Sequence, residues 1–450
     1  MKLHLIETKK ASAGVGAQYF NSLMLPILAV WSERIGWDVM ISATEPEKIN
    51  YNADCDVVAI CLYTYLAPEG YEVARKFREL GKIVIIGGPH AKGCSDEMKE
   101  HADLVFDRCS EKAWGETLKA IEAKKILPSL NPGQFVPSDE IEKIPPYKET
   151  RRFNQNDKVP ILVSSIGCPH DCDFCADWNT QYIKREVADV IDDIKHLKSD
   201  FFVFVDPNFG ANRKYTAELL EAMIPLKKTY MMETSLAWLK NEKYLELLRD
   251  SGCLAVQIGL ESISTSYKKN SLKDPHDITG EISKIIDNIK EYIPAVQVSV
   301  VLGLDNDTKE TFRTISDLYL NSNIDVLSPF ITTPLPGTPF FDRLKAEGRL
   351  FEDDWAYYNC AELTYTLKDF DVDEFFDEMV LLYQSTHKPS IIFTKTFKNL
   401  RKYKNLKLGI YMFWFLTVRV LNTYKYVIPD LHRAKTRVKA KIAEFQLQAR

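Results

Sequence analysis

Ser164-Ser-Ile-Gly-Cys-Pro-His-Asp-Cys-Asp-Phe-Cys175 follows directly on the apolar run Val159-Pro-Ile-Leu-Val163, and its three cysteines, Cys168, Cys172 and Cys175, are spaced Cys-x3-Cys-x2-Cys. Iron–sulfur clusters are held by cysteine thiolates, and an electron-transfer [4Fe–4S] cluster takes four. Three on one tight loop leave the fourth iron open to a small molecule, an arrangement for chemistry rather than for storing an electron. A zinc site asks for a fourth Cys or His, and His170 lies inside the loop, poorly placed to close a tetrahedron. Disulfides are disfavoured, because nine cysteines in 450 residues without a secretory leader describe a reduced chain. Lys2 leads straight into a strand-like Leu3–Ile6, with no cationic stretch, apolar core and cleavage site, so a cytoplasmic location is expected.

Outward from this loop, a βα series runs from Val159 to about Ile331. Its expected strands are Ile161–Ser165, Phe201–Val205, Tyr230–Thr234, Ala255–Gly259, Val296–Val301 and Val326–Ile331, each followed by a helix-length segment. Six strands of this kind suit an incomplete (β/α) barrel, whose reactive centre belongs at the C-terminal strand ends. The cysteine loop follows the first of them.

Residues 1–125 alternate short β-rich runs with helical stretches, the pattern of a parallel sheet covered on both faces. Strands are expected at Leu3–Glu7, Trp37–Ser42, Val57–Leu62, Ile83–Ile86 and Leu104–Phe106, with a helix at Gly70–Glu79. Ligands of such doubly wound sheets sit beyond the carboxyl ends of the strands, here the loops 9–17, 63–68, 87–91 and 107–111. Residues 126–158, with five prolines, read as a linker. The barrel then takes 159–333, and 334–450 forms a C-terminal extension opening on Pro334-Leu-Pro-Gly-Thr-Pro339 and expected to be mainly helical, with helices at Phe340–Glu347 and Asp371–Gln384.

The charge of −5 is unevenly spread: fifteen Lys and Arg between Lys388 and Arg450 face only Asp430 and Glu444, a net +13 that leaves residues 1–387 at −18. Leu408-Gly-Ile-Tyr-Met-Phe-Trp-Phe-Leu-Thr-Val418 is uncharged but too short to span a bilayer. Set among basic residues, it has the make-up of an interfacial helix on anionic lipid. A helix docked against the barrel is the alternative. A nucleic-acid surface ranks third, since no RNA-binding module is recognisable.

Together these features resemble the cobalamin-binding subgroup of radical S-adenosylmethionine (SAM) enzymes, over about residues 1–370. The resemblance implies a flavodoxin-like cobalamin domain, a linker, a partial (β/α)6 barrel and the extension. Carried over by position, Cys168, Cys172 and Cys175 hold a [4Fe–4S] cluster and Phe174 lies near the adenine of SAM. Asp206 and Asn208, in Val205-Asp-Pro-Asn-Phe-Gly210, stand where relatives meet the methionyl amine, an ordinary turn being the alternative. Glu261 in Gly259-Leu-Glu-Ser262 faces the SAM ribose or amine, and Gly303 approaches the adenine. In the first domain Gly87-Gly-Pro-His90 resembles the subgroup's Gly-Gly-x-His loop, so Gly87, Gly88 and His90 are expected at cobalamin, with Tyr63 and Thr64 under the corrin. The motif supplying an axial histidine to cobalt in other cobalamin proteins is absent.

The implied activity is reductive cleavage of SAM to a 5′-deoxyadenosyl radical, fed by an external one-electron donor. Methylation of an unactivated carbon in a lipid-like or other hydrophobic small molecule is the leading outcome. Ring-forming oxidation or rearrangement without methyl transfer, and modification of RNA or protein, are the alternatives. Membrane-surface contact through 388–450, peripheral to the inner face, goes with the first; nucleic acid is not favoured.

Overall fold

The structure, a computed structural model, describes residues 1–9, 23–106, 109–123, 144–153, 159–263, 278–403 and 406–448. Strands β1 (Lys2–Thr8), β2 (Asp38–Thr44), β3 (Val57–Cys61), β4 (Ile83–Gly87) and β5 (Leu104–Phe106) alternate with helices α1 (Met24–Arg34), α2 (Ala67–Glu79) and α3 (Ala91–His101), and α4 (Glu111–Glu122) follows. All pairings are parallel, in the order β2-β1-β3-β4-β5. Every residue of β3 is buried because both faces are covered, as parallel sheets require. Val58, Ile60, Val84 and Ile86 pack with Phe77. Val57, Ala59 and Ile85 pack on the other side with Trp31 and Trp114. The order reverses between β1 and β3, which puts the ligand crevice of a doubly wound sheet at their carboxyl ends. Beyond Lys9 the expected ligand loop 9–17 lies outside the described residues, as do Asp107 and Arg108.

Of the proline-rich stretch 126–158, residues 144–153 are described, and they hold a short helix, α5 (Tyr147–Thr150). Tertiary partners stabilise it: Tyr147 N–H donates to Asp193 Oδ1 at 2.7 Å, and Arg34 bridges Glu111 and Glu149.

The second series comprises β6 (Ile161–Leu162), β7 (Ser165–Ile166), β8 (Ile183–Lys184), α6 (Val187–His196), β9 (Phe201–Phe204), α7 (Arg213–Met223), β10 (Thr229–Ser235), α8 (Glu242–Asp250), β11 (Cys253–Glu261), α9 (Ile278–Tyr292), β12 (Ala295–Leu302), α10 (Lys309–Asn321) and β13 (Val326–Ile331). The expected strand Ile161–Ser165 is two pieces. After Leu162 the chain leaves the parallel sheet, and Ser165–Ile166 pairs antiparallel with Ile183–Lys184. Helix starts follow the caps: Asn212 and Asn241 accept from N–H groups of α7 and α8, and Thr308 and Thr311 form a capping box on α10. The extension carries α11 (Pro339–Ala346), α12 (Val372–Thr386), α13 (Pro389–Tyr403), α14 (Leu406–Asn422) and α15 (Ile428–Gln448).

Two compact units result. The first is Met1–Val203 with Pro334–Arg343 and Asp354–Asn359; the second is Phe204–Thr333, Leu344–Asp353 and Cys360–Arg450. Within the second, β10, β11, β12 and β13 are consecutive parallel neighbours. Here α14, which contains the uncharged run 408–418, is docked along one side: Met412, Leu416 and Val420 pack on Ala295 and Val326.

Candidate active site

The cysteine loop belongs to the first unit. Its neck is the β7–β8 pair, and Gly167 makes the turn into it with φ +73°, where an added Cβ would lie 2.1 Å from the Gln181 carbonyl oxygen. Cys168 N–H donates to Thr180 Oγ1 (3.2 Å), Cys175 N–H to the Cys172 carbonyl (3.0 Å) and Trp178 N–H to the Cys175 carbonyl (2.9 Å). The backbone thus fixes the loop while all three thiols stay partly exposed, outside any disulfide. Three soft thiolates, with no further cysteine on the loop, fit a three-ligand cluster. The adjacent Phe174 is also partly exposed.

The same unit holds the floor expected for cobalamin. Tyr63 stands at the tip of β3 with 39 % of its surface exposed, and Gly87 and Gly88 are partly open beside it. Gly88 has φ +114°, and a Cβ there would meet Leu62 O at 2.7 Å and Leu62 N at 2.9 Å, so only glycine fits. The loop is thereby packed tightly on the end of β3. His90 faces inward: it is 1 % exposed, with Nδ1 at 3.3 Å from Thr64 Oγ1 and Nε2 at 3.0 Å from Tyr71 OH. Burial lowers its pKa to about 4, so the ring is neutral and holds Thr64 and Tyr71 in place. Of the five residues expected at the corrin, Tyr63, Gly87 and Gly88 reach the surface, whereas His90 and Thr64 lie beneath it.

Distant segments complete this unit, and sequence reading missed them. Trp355 caps His90 edge-on at 5.4 Å and donates Nε1–H to the Glu97 carboxylate at 2.9 and 3.1 Å. Gly93 of α3 meets the proline-glycine turn, where a Cβ would fall 2.3 Å from Gly337 N and from the Pro336 carbonyl carbon. From the next position Lys92 Nζ donates to the carbonyls of Ala176 and Trp178, and Phe340 N–H donates to the Asp173 carbonyl at 3.0 Å. Glycine floor, cysteine loop and turn are stapled together inside one unit. No local periodicity marks such contacts.

The second unit carries the other expected SAM residues at strand ends. Asp206 and Asn208 are buried, 2 % and 3 % exposed. Asn208 Oδ1 and Nδ2, Ser235 Oγ and Ser299 Oγ are buried without a hydrogen-bond partner, a deficit that a polar ligand would repair. Asn208 lies against β10, since the following Phe209 N–H donates to Glu233 O at 2.8 Å. Glu261 ends β11 at φ +62° beside a register shift, a strained conformation of the kind kept at binding sites. Gly303, φ +102°, follows β12. Its N–H and that of Leu304 donate to Asp307 Oδ2 at 2.8 and 2.9 Å, and its carbonyl accepts from Tyr365 OH at 2.7 Å. Burial raises the Asp307 carboxyl to about 6 despite these two donors.

A polar ladder crosses these strands, also missed from sequence. Gln257 Nε2 donates to Glu233 Oε2 (3.1 Å), and Gln297 Nε2 donates to Gln257 Oε1 (3.0 Å) and to Ser328 Oγ (3.1 Å). Arg419 of α14 donates to the same Ser328 Oγ at 3.1 Å. Strand alternation places Gln257, Gln297 and Ser328 on the face that α14 covers through Ala295 and Val326.

Residues 162–319 match the Radical SAM superfamily. A bacteriochlorophyllide d C-12(1)-methyltransferase of Chlorobaculum tepidum is 27 % identical over 351 residues, 75 % of this chain and 76 % of that protein. A hopanoid C-2 methylase of Rhodopseudomonas palustris is 27 % identical over 306 residues, 63 % of this chain and 56 % of that one. The fold is shared with the radical SAM methyltransferase TsrM of Kitasatospora setae, solved with cobalamin and a [4Fe–4S] cluster, at TM-score 0.62 and 15 % identity over 77 % of this chain and 78 % of that one. With its tripod of cysteines and its doubly wound first domain, the chain carries a radical SAM domain over residues 162–319 and shares the fold of a cobalamin-binding radical SAM methyltransferase.

Proposed function

We propose that this chain is a cobalamin-dependent radical SAM enzyme that methylates an unactivated carbon of a hydrophobic small molecule. The observation that carries the reading is the stapling of the cysteine loop to the doubly wound domain in one compact unit, directly through Lys92 and by way of the Pro336-Gly337 turn that Gly93 meets. Two cofactors that act on one substrate need such fixed placement. When bound, the cluster with SAM supplies one-electron radical chemistry and cobalamin carries the methyl group.

The chain's own share is holding and orienting. Cys168, Cys172 and Cys175 are the cluster ligands, Tyr63, Gly87 and Gly88 form the corrin floor, and His90 with Thr64 supports that floor from below. Asn208 and Glu261 receive the polar groups of SAM, Gly303 lies against the adenine, and Asp206 and Phe174 complete the set. The methyltransferase names of the relatives, one acting on a tetrapyrrole and one on a hopanoid, support methylation over cyclisation and a hydrophobic substrate. Among the described residues no helix is long and apolar enough to cross a membrane. The exposed apolar side of α14 and the basic tail support contact with a membrane surface, where such a substrate resides.

Anaerobic reconstitution with iron and sulfide tests the reading. The protein is expected to take up about four irons per chain, bind cobalamin with a corrinoid absorbance spectrum, and cleave SAM under a strong one-electron reductant. Cys172→Ala abolishes the cleavage; full retention by that variant would sink the assignment.

A further inference from the structure

Helices α13 and α14 form a hairpin whose outer side is apolar. Ile410, Phe413, Trp414 and Leu421 of α14 and Phe393 and Phe397 of α13 are exposed, Phe397 to 67 % and Trp414 to 55 %, and the Phe393 and Phe413 rings sit 5.5 Å apart. The opposite side of α14 is anchored on β12 and β13 through Met412, Leu416 and Val420, so the aromatic side is held rigidly outward. The next turns add exposed Tyr424 and Tyr426 flanking Lys425, the residue types that favour a membrane interface.

On the other flank of α13, with Lys398 one helical step from Phe397, runs a basic stripe. Lys395, Lys398 and Lys402 line a hollow of about 210 Å³ together with Lys290, Ser390 and Thr394. Lys290 and Lys395 are satisfied within the protein: Lys290 pairs with Asp325 at 2.8 Å and bonds Asn399 at 2.7 Å, and Lys395 Nζ donates to the carbonyls of Tyr319, Ser322 and Ile324. Lys402 reaches Glu291, which is largely exposed. Among the described residues lining the hollow, Asp325 is the one carboxylate against four lysines, with Glu291 paired to Lys402 from outside it. With Lys290 paired to Asp325 and Lys402 to Glu291, the hollow keeps a net positive charge from Lys395 and the exposed Lys398, on the flank of α13 across its exposed side from Phe393 and Phe397.

We infer that the α13–α14 hairpin docks on an anionic bilayer, its aromatic side entering the headgroup–acyl boundary while the lysine hollow receives the phosphodiester of a glycerophospholipid. This rests on the reading that the enzyme meets a hydrophobic substrate at a membrane, and it names the surface and the headgroup chemistry. An apolar stripe and a cationic stripe flanking the exposed side of one helix complement lipid tails and headgroup phosphate. An exposed apolar side without basic neighbours would suit a protein partner equally well. Here charge selects the anionic lipid.

The test is co-sedimentation of the full chain with phosphatidylcholine vesicles, with and without phosphatidylglycerol. Binding is expected with phosphatidylglycerol and weak without it. Phe393→Ser/Phe397→Ser and, separately, Lys398→Glu each lower the partition coefficient about tenfold, with unchanged circular dichroism and thermal midpoint because these side chains are exposed. Equal binding to both vesicles, or loss on the aromatic change alone, would overturn the headgroup hollow. Calorimetric binding of inorganic phosphate without vesicle binding would assign the hollow to a free anion and overturn the lipid claim. A self-associating species in sedimentation velocity that Phe393→Ser/Phe397→Ser dissociates, again without vesicle binding, would assign the surface to a second copy. SAM cleavage in vesicle-free solution is unaffected by these changes. Its loss in the parent with vesicle binding intact would fault the enzymatic reading and leave the docking standing.

Discussion

Asp307→Asn isolates one carboxylate that shapes the end of β12. The native group is 4 % exposed, accepts the N–H groups of Gly303 and Leu304, and has its pKa raised from 3.8 to about 6 by burial. A folded state that binds the proton more tightly than the unfolded chain is most stable at low pH. Its stability falls as pH rises from the unfolded value through about 6. At about 1.4 kcal/mol per tenfold, the displacement corresponds to a loss of about 3 kcal/mol across that window. Asparagine keeps an oxygen for both N–H donors and removes the charge. The variant should therefore match the parent near pH 4 and exceed its unfolding free energy by roughly 2–3 kcal/mol near pH 7. The nearby Asp305–Arg349 pair, at 2.7 Å, is common to both proteins and cancels in the difference. Guanidinium unfolding of parent and variant over this pH series, under anaerobic conditions, reads the difference directly. Parallel pH profiles, or a variant weaker at every pH, would show that the two backbone donors overcome burial and that the reasoning is wrong.

Other changes probe the site piece by piece. Gly93→Ala raises local helix propensity by about 1 kcal/mol yet drives a methyl into the Pro336-Gly337 backbone; a net loss of about 2 kcal/mol and weaker cobalamin retention are expected, and an unchanged or higher thermal midpoint would contradict the packing argument. Asn208→Ala removes two buried polar atoms that have no partner in the free protein, so stability should hold or rise by about 1 kcal/mol while SAM affinity drops about tenfold; equilibrium dialysis showing unaltered affinity would remove Asn208 from the site.

Sequence was most legible where one local rule decides the outcome. Leu104–Phe106 and Val326–Ile331 are strands over the expected residues because short apolar runs there are bounded by charge or turn residues. The run Ile161–Ser165 obeys the same rule and still divides, since Arg185 N–H takes the Ser164 carbonyl and its guanidinium takes that of Val163. The partner that redirects this strand lies about twenty residues away and leaves no periodic trace. Residues 408–418 were ambiguous because composition reports that a run is apolar but not which side is covered. Packing of Met412, Leu416 and Val420 on β12 and β13 accounts for one side and leaves the other outward. The histidine of the Gly-Gly-Pro-His loop shows the limit of motif transfer: its position was legible, its inward direction was not.

That inward histidine bears on how such a site is built. Among the described residues, the group whose donor atoms converge enough to hold one ion is His90, Cys94 and Glu97. Both His90 nitrogens are engaged by Thr64 and Tyr71, and Glu97 by Trp355, so these side chains serve the packing of the floor. The three cysteines proposed to hold the cluster sit instead on a loop held by its own backbone bonds, their thiols partly exposed. On the proposed reading the two sets differ in role: polar groups that satisfy one another make the support, and the partly exposed thiols receive the cluster. Lys92 joins them, since its helix belongs to the floor and its ammonium belongs to the cysteine loop. On the proposed reading, a substitution at Lys92 disturbs the spacing of the two cofactor sites without touching a ligand of either.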